Sequence, residues 1–216
     1  TLIFAGDDGH LASQIRVKAE DHRKAVQGQW TGKWFRRAWL GPTLGWLGEK
    51  GLWLEPQPWA IIGRAATDEQ TRTLIEIIDR ELRKPSPIGA VQINESPDRV
   101  ANGVWKMEPG TSVAGGVWPS LDQTLIWALA QVDGAMAWDE WKKNSFARHA
   151  EVYPDIWYST WSGPDVLNSA SSKRPGETTP TAKPFGWPDF PVLNMHTHAC
   201  PLYSLSKLIG LAFTES

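Results

Sequence analysis

Three groups of residues in this chain have the types and spacing to do chemistry. The first is a glycine turn running into a helix, from Ala114 to Trp127 (Ala-Gly-Gly-Val-Trp-Pro-Ser-Leu-Asp-Gln-Thr-Leu-Ile-Trp). Gly115 and Gly116 allow a tight turn or a close backbone approach. Ser120 with Gln123 three residues on has the spacing of a capping box. Such a loop either presents backbone N–H groups to an anion or simply turns the chain into a capped helix. The second group is His196 and His198, with Thr197 between them. Two imidazoles can bind an oxyanion, or one can act as acid or base; hydrogen bonding to backbone is the alternative. No convincing third ligand lies near them, so no metal is expected. The third group is the carboxylates Glu55, Glu108, Asp122, Asp155 and Asp165, in or beside aromatic loops. Asp165 and Glu55 are the best placed for general-acid work, and either can equally bind a hydroxyl or cap a turn. No Ser-His-Asp signature, P-loop or dinucleotide fingerprint is present.

The elements that must position these groups read as helices joined by long loops. Residues 10–27 form an amphipathic helix with Leu11, Ile15, Ala19, His22 and Val26 on one face. Pro58 suits the first turn of a second helix, which leaves Glu55 and Gln57 just before it. Thr67 with Gln70 caps a third, lined by Leu74, Ile75, Ile78 and Leu82 and ended by Pro85 and Pro87. Residues 85–119 are a long structured loop or several short strands. The helix capped by Ser120 buries Leu121, Leu125, Ala128, Leu129 and Val132. After a break at Gly134, residues 135–149 make another, with Trp138, Trp141 and Ser145 on one face. Residues 151–191 are a second long loop region. A last helix from Pro201 to Ile209 packs Leu202, Leu205, Leu208 and Ile209 inward, with Gly210 closing it.

Tryptophan is the unusual component: 14 Trp stand against 3 Tyr and 6 Phe. Trp127 and Trp138 lie in helical patterns and read as core. Trp46, Trp53, Trp105, Trp118, Trp157, Trp161 and Trp187 sit among Gly and Pro in expected loops. Loop tryptophans suit stacking on sugar faces or on bases. A net charge of -2 and the lack of a basic stripe favour sugars and exclude nucleic acid or an anionic membrane as general partners. Lys33, Arg36 and Arg37 form either a solvated edge or a wall of a substrate cleft. One cysteine, Cys200, excludes an internal disulfide framework. No apolar run approaches the roughly 20 residues of a bilayer span. A cytoplasmic setting is expected.

Four collinear segments carry a family resemblance. Trp30-Thr-Gly-Lys-Trp-Phe-Arg-Arg-Ala38 resembles the Trp-Asp-Gly-x-Trp-Tyr-x-Arg-Ala segment of the cellobiose and chitobiose phosphorylases, glycoside hydrolase family ninety-four. Gln57-Pro-Trp-Ala-Ile-Ile-Gly63 resembles that family's Gln-Ser-Trp-Ala-x-x-Ser-Gly. Gly115-Gly116 before a helix resembles its Gly-Gly-x-x-x-His loop. His196-Thr-His-Ala199, with Tyr203, resembles its Thr-Gly-(Ser/Thr)-Ala-x-x-x-Tyr ending.

The resemblance implies an all-α fold: residues 1–216 would be the C-terminal portion of an (α/α)6 barrel, with long Trp/Gly-rich loops at one end. It implies inverting phosphorolysis of a β-linked glucoside or oligosaccharide, with inorganic phosphate as co-substrate and no cofactor. Sugar contacts would fall on Gln57, Trp59, Trp118, Trp157 and Trp161. Phosphate contacts would fall on Gly115, Gly116, Ser120, His196, Thr197 and His198. Ser120 stands where the family has His, Val113 where it has Glu, and His196-Thr197 where it has Thr-Gly. The family's Asp-Trp-Asn-Asp acid segment has no counterpart here, so a missing N-terminal portion of the enzyme is expected as partner, and a homodimer is possible. The alternatives are an inverting hydrolase on the same barrel and a non-catalytic carbohydrate-binding piece.

Overall fold

The computed structural model describes residues 9–94, 108–156, 164–178 and 195–211, and for 195–198 the backbone alone. These residues are mostly helical. Helix α1 (His10–Gln27) leads to a hairpin of β1 (Ala38–Trp39) and β2 (Trp46–Leu47). There follow α2 (Pro56–Ile62), α3 (Asp68–Ile78), α4 (Pro119–Ala130), α5 (Gly134–Lys143), α6 (Phe146–Val152) and α7 (Met195–Leu208).

Helix α3 forms as its sequence dictates. The Thr67 hydroxyl accepts from the Gln70 N–H while the Gln70 side chain accepts from the Thr67 N–H. Asp68 and Glu69 favour the positive helix start. Leu74, Ile75, Ile77 and Ile78 are buried, and a π-helical turn over Asp79–Arg83 carries the chain on to Pro85. Helix α4 is the central element, packed against α2, α5 and α7. Leu125, Ile126, Ala128 and Leu129 are fully buried in it, as an apolar helix in the middle of a core must be.

Several sequence expectations need correction. Helix α4 starts two residues early, at Pro119, with Trp118 as N-cap and no side-chain cap. Ser120 is therefore not the cap, and the Gln123 side chain reaches Asn144 and Ser204 instead. Residues 135–149 are two helices, because Asn144 closes α5 and the Ser145 hydroxyl caps α6 by accepting from the Arg148 N–H. Trp138 is exposed and stacks on Trp141, with ring centroids 5.1 Å apart and planes 8° from parallel. Trp127 is only half-buried. Helix α7 begins earlier than expected and accommodates Pro201 inside it. Its buried contact is Ser204, while Leu202 and Ile209 are exposed; Gly210 closes the helix as expected, at φ 81°. In α1 only Ala12 is buried, and Leu11, Ile15 and Val26 face solvent.

The loops are joined by short bridges rather than a sheet. Trp53 pairs with Ile93, Val91 with Val117, and Val117 with Leu167. The Leu54 N–H donates to the Gln92 carbonyl, and the Gln92 N–H donates to that of Gly116. Expected loop tryptophans are thus drawn into structure: Trp53 is buried with Leu47 and Ile93, and Trp46 packs on Trp39 across the hairpin.

A polar cluster is sealed beneath α4. Arg83 Nε donates to Glu140 Oε2 at 2.6 Å, and Glu140 Oε1 accepts from the Ala90 N–H at 2.8 Å. Beside them lies Asp122, fully buried; its Oδ2 accepts from Asn144 Nδ2 at 2.7 Å and its Oδ1 meets no partner among the described residues. Burial first, and then the negative charge of Glu140, push the Asp122 carboxyl well above the usual carboxylate range. An acid raised in the folded state binds more protons folded than unfolded. Its contribution to stability therefore falls as pH rises from about 4 toward the folded pKa. Asp122→Asn removes this loss while keeping an acceptor for Asn144. The variant should match the parent near pH 4 and exceed its melting temperature by a margin that widens toward neutral pH; thermal scans across that range check it.

His149 gives the opposite slope. Its Nε2 lies 2.8 Å from the Gly176 carbonyl, and burial lowers its pKa despite that bond. Below the unfolded histidine value, about 6.5, the unfolded chain binds the extra proton, so stability falls as pH drops through that region toward the folded pKa. Protection factors of residues 164–178, taken relative to the intrinsic exchange rate at each pH, should fall on acidification, and less so in His149→Gln.

Candidate functional site

The first two motif segments are joined by one side chain. Gln57, on α2, is completely buried. Its Oε1 accepts from the Phe35 N–H at 2.9 Å, and its Nε2 donates to the carbonyls of Phe35 at 2.9 Å and Trp53 at 2.8 Å. Both amide donors are used on backbone, so Gln57 braces the turn after Trp30 instead of facing a sugar. Glu55 sits just before α2, its Oε2 accepting from Arg37 Nε at 2.6 Å.

The glycine loop is also spent on structure. Gly115 has φ 101°, a conformation that favours glycine, and both glycines are buried. A Cβ on Gly116 would fall 2.7 Å from Val166 and 2.8 Å from the Ser112 carbonyl. The Gly116 N–H donates to Ser112 and the Val117 N–H to Leu167, at 2.9 and 2.8 Å. Trp118 donates its indole N–H to the Ser112 carbonyl at 3.0 Å and so locks the same turn. Ser120 is half-buried in the first turn of α4. The Gly116 and Val117 N–H groups that an anion would use are therefore already satisfied from within.

Among the remaining carboxylates, Glu108 Oε1 accepts from the Ser172 hydroxyl and the Lys173 N–H, which ties residues 164–178 to the glycine loop. Asp155 is exposed, and Asp165 is half-buried between buried Pro164 and Val166. Burial raises the pKa of the Cys200 thiol and keeps it protonated at neutral pH. No cluster of three or more His, Cys, Asp or Glu side chains that could hold a metal occurs among the described residues. His196, Thr197 and His198 begin α7, but their side chains lie outside the described residues, as do Trp157 and Trp161 entirely.

What the fold does bring together is an aromatic surface. Trp59 from α2 meets Trp127 from α4 edge to face, centroids 5.9 Å apart; Trp127 meets Tyr203 from α7 in the same way at 5.5 Å. Lys207 stands 4.9 Å from the Tyr203 ring centroid and 5.5 Å from that of Trp127. Trp59 and Tyr203 are 53% and 50% exposed, so the set is open to a ligand. Aromatic faces flanked by a donor can hold the apolar face of a sugar ring while bonding its hydroxyls. The sequence named Trp59 and, through a motif, Tyr203; Trp127 was assigned to core, because helical spacing does not reveal which flank stays open.

No protein-family model matches the chain, and no curated protein matches its sequence. Among the described residues no helix is long and apolar enough to cross a membrane.

Replacing Gln57 with Leu keeps the volume and strands three backbone partners. At about 1–3 kcal/mol for each buried group left unpaired, the loss should be at least ~3 kcal/mol in chemical denaturation. Gln57→Glu should lose less only at low pH, where the protonated acid keeps an acceptor for the Phe35 N–H and one donor. It should lose more as pH rises and the buried carboxylate ionises against the two carbonyls.

Proposed function

We propose that this chain is the C-terminal portion of a carbohydrate-active enzyme on an (α/α)6 barrel, acting by inverting phosphorolysis on a β-linked glucoside or oligosaccharide. One observation carries the reading: Trp59 and Tyr203, from two of the four collinear motifs and 144 positions apart in the chain, both pack on Trp127 and both remain open. The mostly helical fold and the exposed apolar face of α1 accord with a piece of a larger helical body. In this reading the aromatic set holds a sugar ring. Phosphate, the co-substrate, lies with His196, Thr197 and His198 at the start of α7, since Gly116 and Val117 spend their N–H groups internally. The general acid comes from the missing N-terminal portion of the enzyme. A cytoplasmic homodimer without a cofactor completes the proposal.

The same internal use of the glycine-loop amides, with Glu55 held by Arg37, favours a second reading, a non-catalytic carbohydrate-binding piece. Activity of the assembled enzyme separates the two. Release of sugar from cellobiose should require phosphate, and His196→Ala should raise the phosphate requirement several-fold. Equal release without phosphate overturns phosphorolysis in favour of hydrolysis. Independently, Trp59→Ala and Tyr203→Ala should each weaken cello-oligosaccharide binding by about ten-fold, or ~1.4 kcal/mol, with little change in melting temperature. Unaltered affinity in calorimetry would remove the aromatic set from the site.

A further inference from the structure

A groove of about 430 Å³ opens between the C-terminal half of α1 and α2. Val26, Pro56 and Trp59 give it apolar walls, and Arg23, Arg36 and Arg37 give it three guanidinium groups, with no carboxylate in its lining. The arginines are held in place. Arg36 lies over the Trp46 ring at 5.5 Å and Arg37 over Trp53 at 4.8 Å, and Arg23 Nε donates to the Gly63 carbonyl at 3.3 Å.

Each arginine also meets one carboxylate outside the groove: Arg23 with Glu20, Arg36 with Glu49 at 2.9 Å and Arg37 with Glu55 at 2.6 Å. A guanidinium carries five N–H donors, so these pairs leave capacity. Arg36 Nε is closed to solvent and has no acceptor among the described residues, so the donors a ligand can reach are those of the terminal guanidinium nitrogens, for which an oxyanion is the natural partner. Fixed guanidinium groups with open donors are already organised for such a ligand.

Trp59 belongs both to this groove and to the aromatic set with Trp127 and Tyr203. Trp127 and Tyr203 themselves lie outside the groove's lining. We infer that the groove binds a sugar ring bearing an oxyanion, a carboxylate or a phosphate, with the ring against Trp59 and the charge on Arg36 flanked by Arg23 and Arg37. The inference rests on the reading of the Trp59 surface as sugar-binding and adds the class of sugar. The oxyanion bonds the terminal guanidinium nitrogens, while Val26 and Pro56 shed water against the ring.

Calorimetric titration of the chain with glucose, glucuronate, glucose 6-phosphate, inorganic phosphate and cellobiose tests it. Glucuronate or glucose 6-phosphate should bind at least ten-fold more tightly than glucose, with the margin shrinking as salt is added; the tighter of the two identifies the source of the oxyanion. Arg36→Gln should cut the ratio of charged to neutral affinity several-fold. Arg23→Gln, at a more exposed position, should do the same should the first variant disturb folding. Inorganic phosphate binding as tightly as either charged sugar overturns the inference, since the groove would then read charge without a ring. Cellobiose binding with no preference for charged rings overturns this inference alone. Absence of binding by any of the sugars overturns the proposed function with it.

Discussion

The buried contact between Arg83 and Glu140 is the constraint on which the rest of the structure depends. It ties the end of the α3 segment to α5 across 57 positions, with the guanidinium almost wholly buried and the carboxylate completely so. A charge pair removed from water survives only where its other hydrogen-bonding positions are filled. Here Asp79 and Asp139 take further guanidinium donors, and the Ala90 N–H fills the second oxygen of Glu140. That last bond fixes residues 88–93, and these in turn bridge to Trp53 and Val117, the backbones beside α2 and the glycine loop. Removing Arg83 would leave Glu140 as an uncompensated buried charge, a cost of about 3–5 kcal/mol, whereas without Glu140 the guanidinium keeps Asp79 and Asp139.

A second line of polar contacts runs from that cluster to the aromatic surface. Asp122 holds Asn144, Gln123 donates to Asn144, and the Ser204 hydroxyl donates to Gln123. These bonds pin α7 against α4, which is what places Tyr203 beside Trp127. The exposed ring of Tyr203 is thus set by side chains buried away from it. In the arginine-lined groove beside Trp59, Trp46 and Trp53 underlie two of the guanidinium groups.

What could be read in the sequence was local. The Thr67–Gln70 cap, the apolar face from Leu74 to Leu82 and the extent of α1 depend on neighbours within one turn, and all three are present in the structure. The cap proposed for Ser120 failed because Pro119 already supplied a suitable first residue, so the chain entered the helix two positions sooner. The inward face of α7 held at Leu208, which packs on the core, and failed at Leu202 and Ile209 for a different reason. Its packing is decided by a hydroxyl that meets Gln123, and an apolar count over Leu202, Leu205 and Leu208 gives such a bond no weight. In the candidate site, Trp59 was legible as an aromatic in a motif. Gln57 was legible as important but not as structural, because its partners Phe35 and Trp53 flank it through the fold. No spacing rule connects Arg83 to Glu140 or joins Arg23 to the groove of Arg36 and Arg37.

The π-helical turn at Asp79–Arg83 has a bearing on how this chain tolerates changes of length. The Lys84 N–H reaches back five residues to the Asp79 carbonyl, so the turn holds one residue more than an α-helical turn. Each residue of an α-helix advances the side-chain direction by about 100°. A single-residue insertion or deletion in the regular winding of α3 just before it would swing everything after by that angle, carrying Arg83 away from Glu140. Surface loops such as the tip between β1 and β2 have room for insertions and deletions, whereas this short turn has none. It behaves as a ruler whose length is set by a charge on the far side of the core.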